Sequence, residues 1–319
     1  MDFPAEPIPP PALPCRLQNP PEFTVPIFSD IRDQFGTDGF VGPFPAVSGR
    51  DLERVRDIAN KIVANGFESP LYGQRSGRDW HLVHQEFLDL VRIPEIIDQL
   101  RSLLGDDLLL WRSQMFDKEP GDGPLQWHQA NLFSGEEYGN EKHSLVPANS
   151  SSYADSFGVT VWFAFDDATE ENGAVKLAKG TSRKRYPTKS VPFEESVFGQ
   201  TLIAQWQRTG ENHRIEEMRG RSCYQATFDP EAEGVEVHTM EVPAGHYFLF
   251  NERTEHCSGP NLTDRRRLGL NFRVVRGDTL IYPDRLTGDH IDGEGYDISS
   301  HRCILLSGSD RDGRNAIAQ

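Results

Sequence analysis

The chain has 319 residues, of which 37% are hydrophobic and 26% charged, and its formal net charge is -16. That length buries a substantial core in one large domain or two small ones. The excess of acid argues against nucleic-acid polymers and anionic membranes as partners, because both select basic surface.

Residues 1–27 carry nine prolines and little periodicity, a composition that favours extended backbone and forms no core. Residues 1–29 are therefore expected to be a Pro-rich N-terminal arm, followed by a single domain over 30–319. From Ser48 the apolar residues Leu52, Val55, Ile58, Ala59, Ile62 and Val63 recur at helical spacing, with Ser48 placed to cap and Gly66 to stop. A second helix is predicted from about His84. A third begins at Pro94, with Ile96, Ile97, Leu100, Leu103 and Leu104 as its stripe, and ends at Gly105. Beyond Gly105 short strand-like runs take over: 108–116, 159–165, 174–177, 235–242, 247–250 and 268–275, broken by Gly, Pro, Asn and Asp. Helices followed by many short strands suggest a mainly β sandwich or barrel with flanking helices. The stretches 134–157 and 182–232 read as long irregular inserts, the usual form of lids and binding loops. The cysteines Cys15, Cys223, Cys257 and Cys303 form no CxxC pair, which suits a reducing compartment. With no signal-peptide pattern and no membrane-length apolar run, a cytoplasmic location is expected.

The most informative segment is Trp127-His128-Gln129-Ala130. Mononuclear non-haem iron sites use two histidines and one carboxylate, commonly opening with His-x-Asp/Glu. Here His128 is followed by Ala130, which binds no metal. In a strand, residues two apart face the same way, so 128 and 130 are expected on one interior side with Gln129 facing out. His256, after the apolar run Tyr247–Phe250, is the second candidate ligand. Arg267 follows on the next strand, and a guanidinium there suits the distal carboxylate of an organic acid. Ten histidines are present, so spacing alone leaves the other eight as alternatives.

The wider pattern narrows the choice. Gly39–Phe44, Trp111-Arg112, Pro120-Gly121-Asp122, Trp127–Ala130, Thr160-Val161-Trp162, Asn172-Gly173, Gly180-Thr181, Ala244-Gly245, His256 and the run Arg267–Arg273 resemble, in order, the phytanoyl-CoA dioxygenase superfamily of Fe(II)/2-oxoglutarate enzymes. Within it the resemblance is to the branch that holds the syringomycin and cytotrienin halogenases, and it covers roughly residues 30–290. It implies a double-stranded β-helix (jelly roll, cupin-like) with helices outside. It also implies iron held by His128 and His256, 2-oxoglutarate held by Arg267 with Trp162 nearby, and chloride in the position that Ala130 leaves open. Thr160, Arg273 and Phe133 would line the halide pocket. Lys179 stands where relatives usually have proline.

The activity so implied is chlorination of an unactivated aliphatic C–H, with Fe(II), 2-oxoglutarate, chloride and O2 as the cofactor and co-substrate set, by hydrogen abstraction and chlorine rebound. A hydroxylase, its iron completed by water or by Glu136 or Glu137, is the first rival. A non-catalytic jelly-roll binding protein is the second. The substrate is expected to be a small molecule, free or as an aminoacyl group on a carrier protein. Arg183, Lys184 and Arg185 are placed to receive a phosphate, or else form a solvated basic loop, and Trp206 belongs to the candidate lid.

Overall fold

The computed structural model describes residues 28–130, 143–148, 158–209 and 222–318. The N-terminal arm before Phe28 and most of the first insert lie outside the described residues. Ten strands build two facing sheets: β1 (Phe40–Pro45), β2 (Leu108–Lys118), β3 (Leu125–His128), β4 (Gly158–Ala164), β5 (Val175–Ala178), β6 (Val237–Met240), β7 (His246–Asn251), β8 (His256–Ser258), β9 (Arg267–Arg276) and β10 (Ile304–Ser307). The large sheet runs β1-β7-β4-β9-β2-β10 and the small one β6-β5-β8-β3, every pair antiparallel. This is a jelly roll with helices on one side.

Both faces of the large sheet are covered, which is why β4 is buried at every position. On its outer face Val159, Val161, Phe163, Leu268, Leu270 and Phe272 join one core with the helices α1 (Phe28–Asp38), α2 (Gly49–Ala64), α3 (Gln85–Val91) and α4 (Pro94–Leu104). Helix α2 contributes Val55, Ala59 and Ile62, and α4 contributes Ile96, Leu100 and Leu104, spacings that put each set on one helix face. On the inner face Trp162, Phe248, Phe250 and Phe40 pack against Leu177 and Met240 of the small sheet. The alternation of β4 thus sends odd residues to the helices and even residues into the barrel.

Several elements depart from the sequence expectation. The helix Phe28–Asp38 begins inside the expected arm. Strands β1 and β10 had no periodic signal, because each is a short edge strand. The 182–232 insert is not irregular throughout: it holds the helix α5 (Val197–Thr209) and a two-stranded antiparallel sheet in which Thr188–Pro192 pairs with Ser222–Ala226. No helix among the described residues is long and apolar enough to cross a membrane.

Candidate active site

His128 ends β3 and His256 opens β8, and the two are direct register partners. Opposed residues of an antiparallel pair project to the same face, so the imidazoles meet with ring centroids 4.1 Å apart. The backbone behind each ring fixes it. Nδ1 of His128 lies 2.9 Å from the Gln126 carbonyl, and Nδ1 of His256 lies 2.8 Å from the Thr254 carbonyl. A carbonyl only accepts, so each Nδ1 carries the proton and each Nε2 presents a lone pair. Burial pushes both imidazoles below their ordinary value, and His256 is lowered further by its partner ring. Two neutral rings, oriented from behind and presenting Nε2, are what a metal requires of histidine.

Ala130 is buried beside them. The strand stops at His128, so the pleat does not place Ala130 as expected from alternation. Its N–H donates to the Glu252 carbonyl at 2.8 Å instead, which ties it to the segment leading to His256. Gln129 does point the other way: its amide donates to the carbonyls of Lys184 at 2.8 Å and Arg253 at 2.6 Å, bracing both loops. Among the described residues no group of three His, Cys, Asp or Glu is arranged to hold a metal. Phe133, Glu136 and Glu137 lie outside the described residues.

Arg267 reaches the same interior from the other sheet. It opens β9, which is not hydrogen-bonded to the strand of His256 as the sequence order suggested, but faces it. Its Nη2 donates to the Gly173 carbonyl at 2.7 Å, and its guanidinium lies 5.5 Å from the Trp162 ring centroid. Its Nε is buried without a hydrogen-bond partner among the described residues. Its register partner is Lys118, whose ammonium donates to the Gly123 carbonyl at 2.8 Å and the Ser258 hydroxyl at 3.2 Å. Burial, and then Arg267 beside it, pushes Lys118 down to about 8. Burying two cations side by side is unfavourable unless an anion joins them. Asp117, Asp122 and Asp166 oppose the charge of Arg267, and Asp122 that of Lys118. A Cβ on Gly269 would lie 2.3 Å from the Trp162 ring, so glycine is what lets that indole lie between β9 and the interior.

A row of inward residues crosses the large sheet: Arg112 opposite Arg273, Arg273 opposite Thr160, Thr160 opposite Phe250. Phe250 in turn packs on His256, centroid to centroid 4.8 Å. Arg273 is buried 3.9 Å from the Glu252 carboxylate. Burial pushes Glu252 up; Arg273, Arg112 and the Thr160 hydroxyl pull it back only in part.

The basic loop has other partners. Arg183 donates to the Gly36 carbonyl at 2.5 Å, and Lys184 pairs with Glu233 at 2.5 Å while lying over Tyr186. These three consecutive basic residues, Arg185 included, are exposed. Trp206 lies in α5, whose Thr201 hydroxyl donates to the Pro124 carbonyl at 2.9 Å, beside the strand that leads to His128. Sequence reading missed Lys118, Ser258 and Glu252. The signal for Lys118 was available, since Arg112, Gln114, Phe116 and Lys118 alternate along one inward strand face.

Comparison with known proteins bears on the family and the fold. A curated relative, the "probable alpha-ketoglutarate-dependent hypophosphite dioxygenase" of Stutzerimonas stutzeri, is 29% identical over 226 residues, which is 70% of this chain and 64% of that protein. The chain thus spans just under two thirds of that relative's length. In fold it is similar to CytC3 with Fe(II) and alpha-ketoglutarate (TM-score 0.64, 24% identity, 91% of this chain and 92% of that one). It is also similar to the non-heme monooxygenase ThoJ in its apo form (TM-score 0.59, 21% identity, 91% and 86%). The family model for phytanoyl-CoA dioxygenase (PhyH) matches residues 35–269, a stretch that holds β1 to β8, both candidate histidines and Arg267; the chain belongs to the phytanoyl-CoA dioxygenase family.

Proposed function

We propose that this protein is an Fe(II)- and 2-oxoglutarate-dependent oxygenase in which Ala130 makes room for a halide, so that it chlorinates an aliphatic C–H. The single observation that carries the reading is the paired, back-braced His128 and His256, with alanine at the sequence position where an acid would complete the set. Nε2 of each histidine would hold the iron. Arg267 and Lys118 would hold the distal carboxylate of 2-oxoglutarate, one through a planar fork and the other through a point charge. When bound, iron and 2-oxoglutarate supply the activation of O2 and the removal of a hydrogen atom from the substrate.

What the chain contributes is charge balance, position and dryness. Replacing a carboxylate by a methyl leaves the metal one negative ligand short. Chloride would restore both the charge and the contact. The guanidinium of Arg273, whose Nε and Nη1 are buried, would favour an anion on that side, and Thr160 stands next to it. Trp162, Phe248 and Phe250 line the interior with apolar surface, which excludes water. Substrate placement then decides between chlorination and hydroxylation, because a small displacement of the target carbon changes which ligand it meets. The substrate is a small molecule, free or borne on an aminoacyl carrier protein.

Ala130→Asp tests the reading. With iron, 2-oxoglutarate and chloride supplied, the parent should give a product heavier by one chlorine for hydrogen. The variant should give none while still binding iron. Normal chlorination by the variant would remove Ala130 from the halide site. A hydroxylase is the second reading, favoured by the dioxygenase name of the curated relative. It predicts the same product mass with and without chloride.

A further inference from the structure

Across the large sheet from the histidine pair lies a second buried charge cluster, outside the positions so far given a role. Arg78 and Arg112 converge on the Tyr282 hydroxyl at 3.1 and 2.8 Å and on Asp292 at 2.8 and 3.4 Å. Arg78 is held between the rings of Tyr296, 4.1 Å from its centroid, and Tyr72, at 5.4 Å. Glu294 closes the cluster: one oxygen accepts from Arg112 at 2.8 Å and the other lies 3.4 Å from Arg78. The two carboxylates that Arg78 and Arg112 share are not equivalent. The Asp292 side chain is 1% exposed, whereas that of Glu294 is 38% exposed. Asp292 also accepts from the backbone N–H groups of Glu294 and Tyr296 and so shapes the turn. Apart from that backbone bond, Glu294 is held to the cluster by its carboxylate, and it sits between two glycines, Gly293 and Gly295.

We infer that Glu294 occupies the seat of an oxyanion carried by the substrate, and that Arg112 and Arg78 bind that group when Glu294 swings out. The inference rests on the proposed iron site and deepens it by naming the substrate class: an organic molecule bearing a carboxylate or phosphate several bonds from the reacting carbon. Charge and position support it. When Glu294 withdraws, Arg112 loses a carboxylate oxygen at 2.8 Å and Arg78 one at 3.4 Å, and an incoming oxyanion restores both contacts. A carboxylate on two guanidiniums is the geometry a planar or tetrahedral oxyanion would adopt. Arg112 is also the end of the inward row that passes through Arg273 and Thr160 to Phe250, which touches His256. Three strand spacings of about 4.8 Å separate its ends, so a ligand anchored at Arg112 lies along the interior towards the histidines. Glu294 lies beyond residue 269, after the part of the chain that the family model matches, as expected of a device that sets specificity.

The test uses the full chain without metal, titrated calorimetrically with inorganic phosphate and, separately, with acetate. Glu294→Gln should bind at least one of them tenfold or more tighter than the parent, and the preferred probe separates a phosphate-bearing from a carboxylate-bearing substrate. Adding Arg112→Met to that variant should abolish the gain. Equal affinities in parent and Glu294→Gln, including no binding in either, would overturn the proposal. So would a gain that survives Arg112→Met. Iron and 2-oxoglutarate binding, followed by their charge-transfer absorption, should be the same in the parent and Glu294→Gln. Its absence from both would count against the iron site and leave the phosphate result standing by itself.

Discussion

At the scale of single residues, Lys118 carries the sharpest consequence. It is a buried cation whose direct partners are a carbonyl and a hydroxyl, with Arg267 as its neighbour and Asp122 as the opposing charge. Such a group is poorly satisfied until an acid arrives. Losing a charge-assisted hydrogen bond costs about 1.5–3 kcal/mol, so Lys118→Met should raise the half-saturating 2-oxoglutarate concentration roughly ten- to a hundredfold. The sign of the pH effect follows from the lowered value. Below about 8 the ammonium is charged and attracts the carboxylate; above it the amine is neutral. Affinity for 2-oxoglutarate in the parent should therefore fall as pH rises through that value. Arg267 keeps its charge throughout, since a guanidinium does not titrate in this range. In Lys118→Met the fall should vanish, and titration calorimetry from pH 6.5 to 9.5 checks it. A parent affinity that is flat across that window would remove Lys118 from the carboxylate site.

At the scale of elements, β9 and β4 place the chemistry by their packing. Gly269 stands opposite Ala164, and the indole of Trp162 fills the space its missing side chain leaves. Gly269→Ala should push the ring off its seat and with it the guanidinium of Arg267. Overpacking of this kind costs about 1–3 kcal/mol, so the melting temperature should drop and the 2-oxoglutarate requirement should rise together. Trp162→Phe added to Gly269→Ala should recover part of the stability, because the smaller ring clears the new methyl. Double-mutant thermal melts measure that coupling; strict additivity would mean the two side chains do not compete. The same strands explain what was legible beforehand. Long periodic elements such as α2 and α4, and the apolar runs of β4 and β9, carried their own signal. The two histidines did not: ten histidines compete on spacing, and the ordered resemblance of the surrounding motifs singled these two out. The facing of Arg267 from the opposite sheet was hidden, since nothing local says which sheet a strand joins. Glu294 was hidden more deeply. A Gly-Glu-Gly turn reads as solvent loop until the fold brings it onto Arg112, 182 residues earlier.

At the scale of the whole molecule, the segment after β9 is bound to the barrel by buried polar contacts as well as by apolar ones. Tyr282, Asp292 and Glu294 meet Arg78 and Arg112, His301 meets the Trp111 carbonyl at 2.7 Å, and β10 adds to the sheet edge beside β2. Removing one partner from a buried ion cluster leaves charge uncompensated, at a cost of about 3–5 kcal/mol. Asp292→Ala should therefore lower the unfolding free energy by that order, measured by urea denaturation at pH 7. Glu294 gives the pH dependence. The guanidiniums of Arg112 and Arg78 outweigh its partial burial and hold its carboxyl down at about 2, against an ordinary value near 4.3 when unfolded. A carboxyl lowered by folding stabilises the fold above its unfolded value, and that contribution fades as pH falls towards the folded one. The parent should thus be more stable than Glu294→Gln at neutral pH, and the gap should close between about pH 4.3 and 2. A gap that persists unchanged to pH 2 would mean that the glutamate is held by shape and not by charge, and that the two arginines do not sense the acid lying on them.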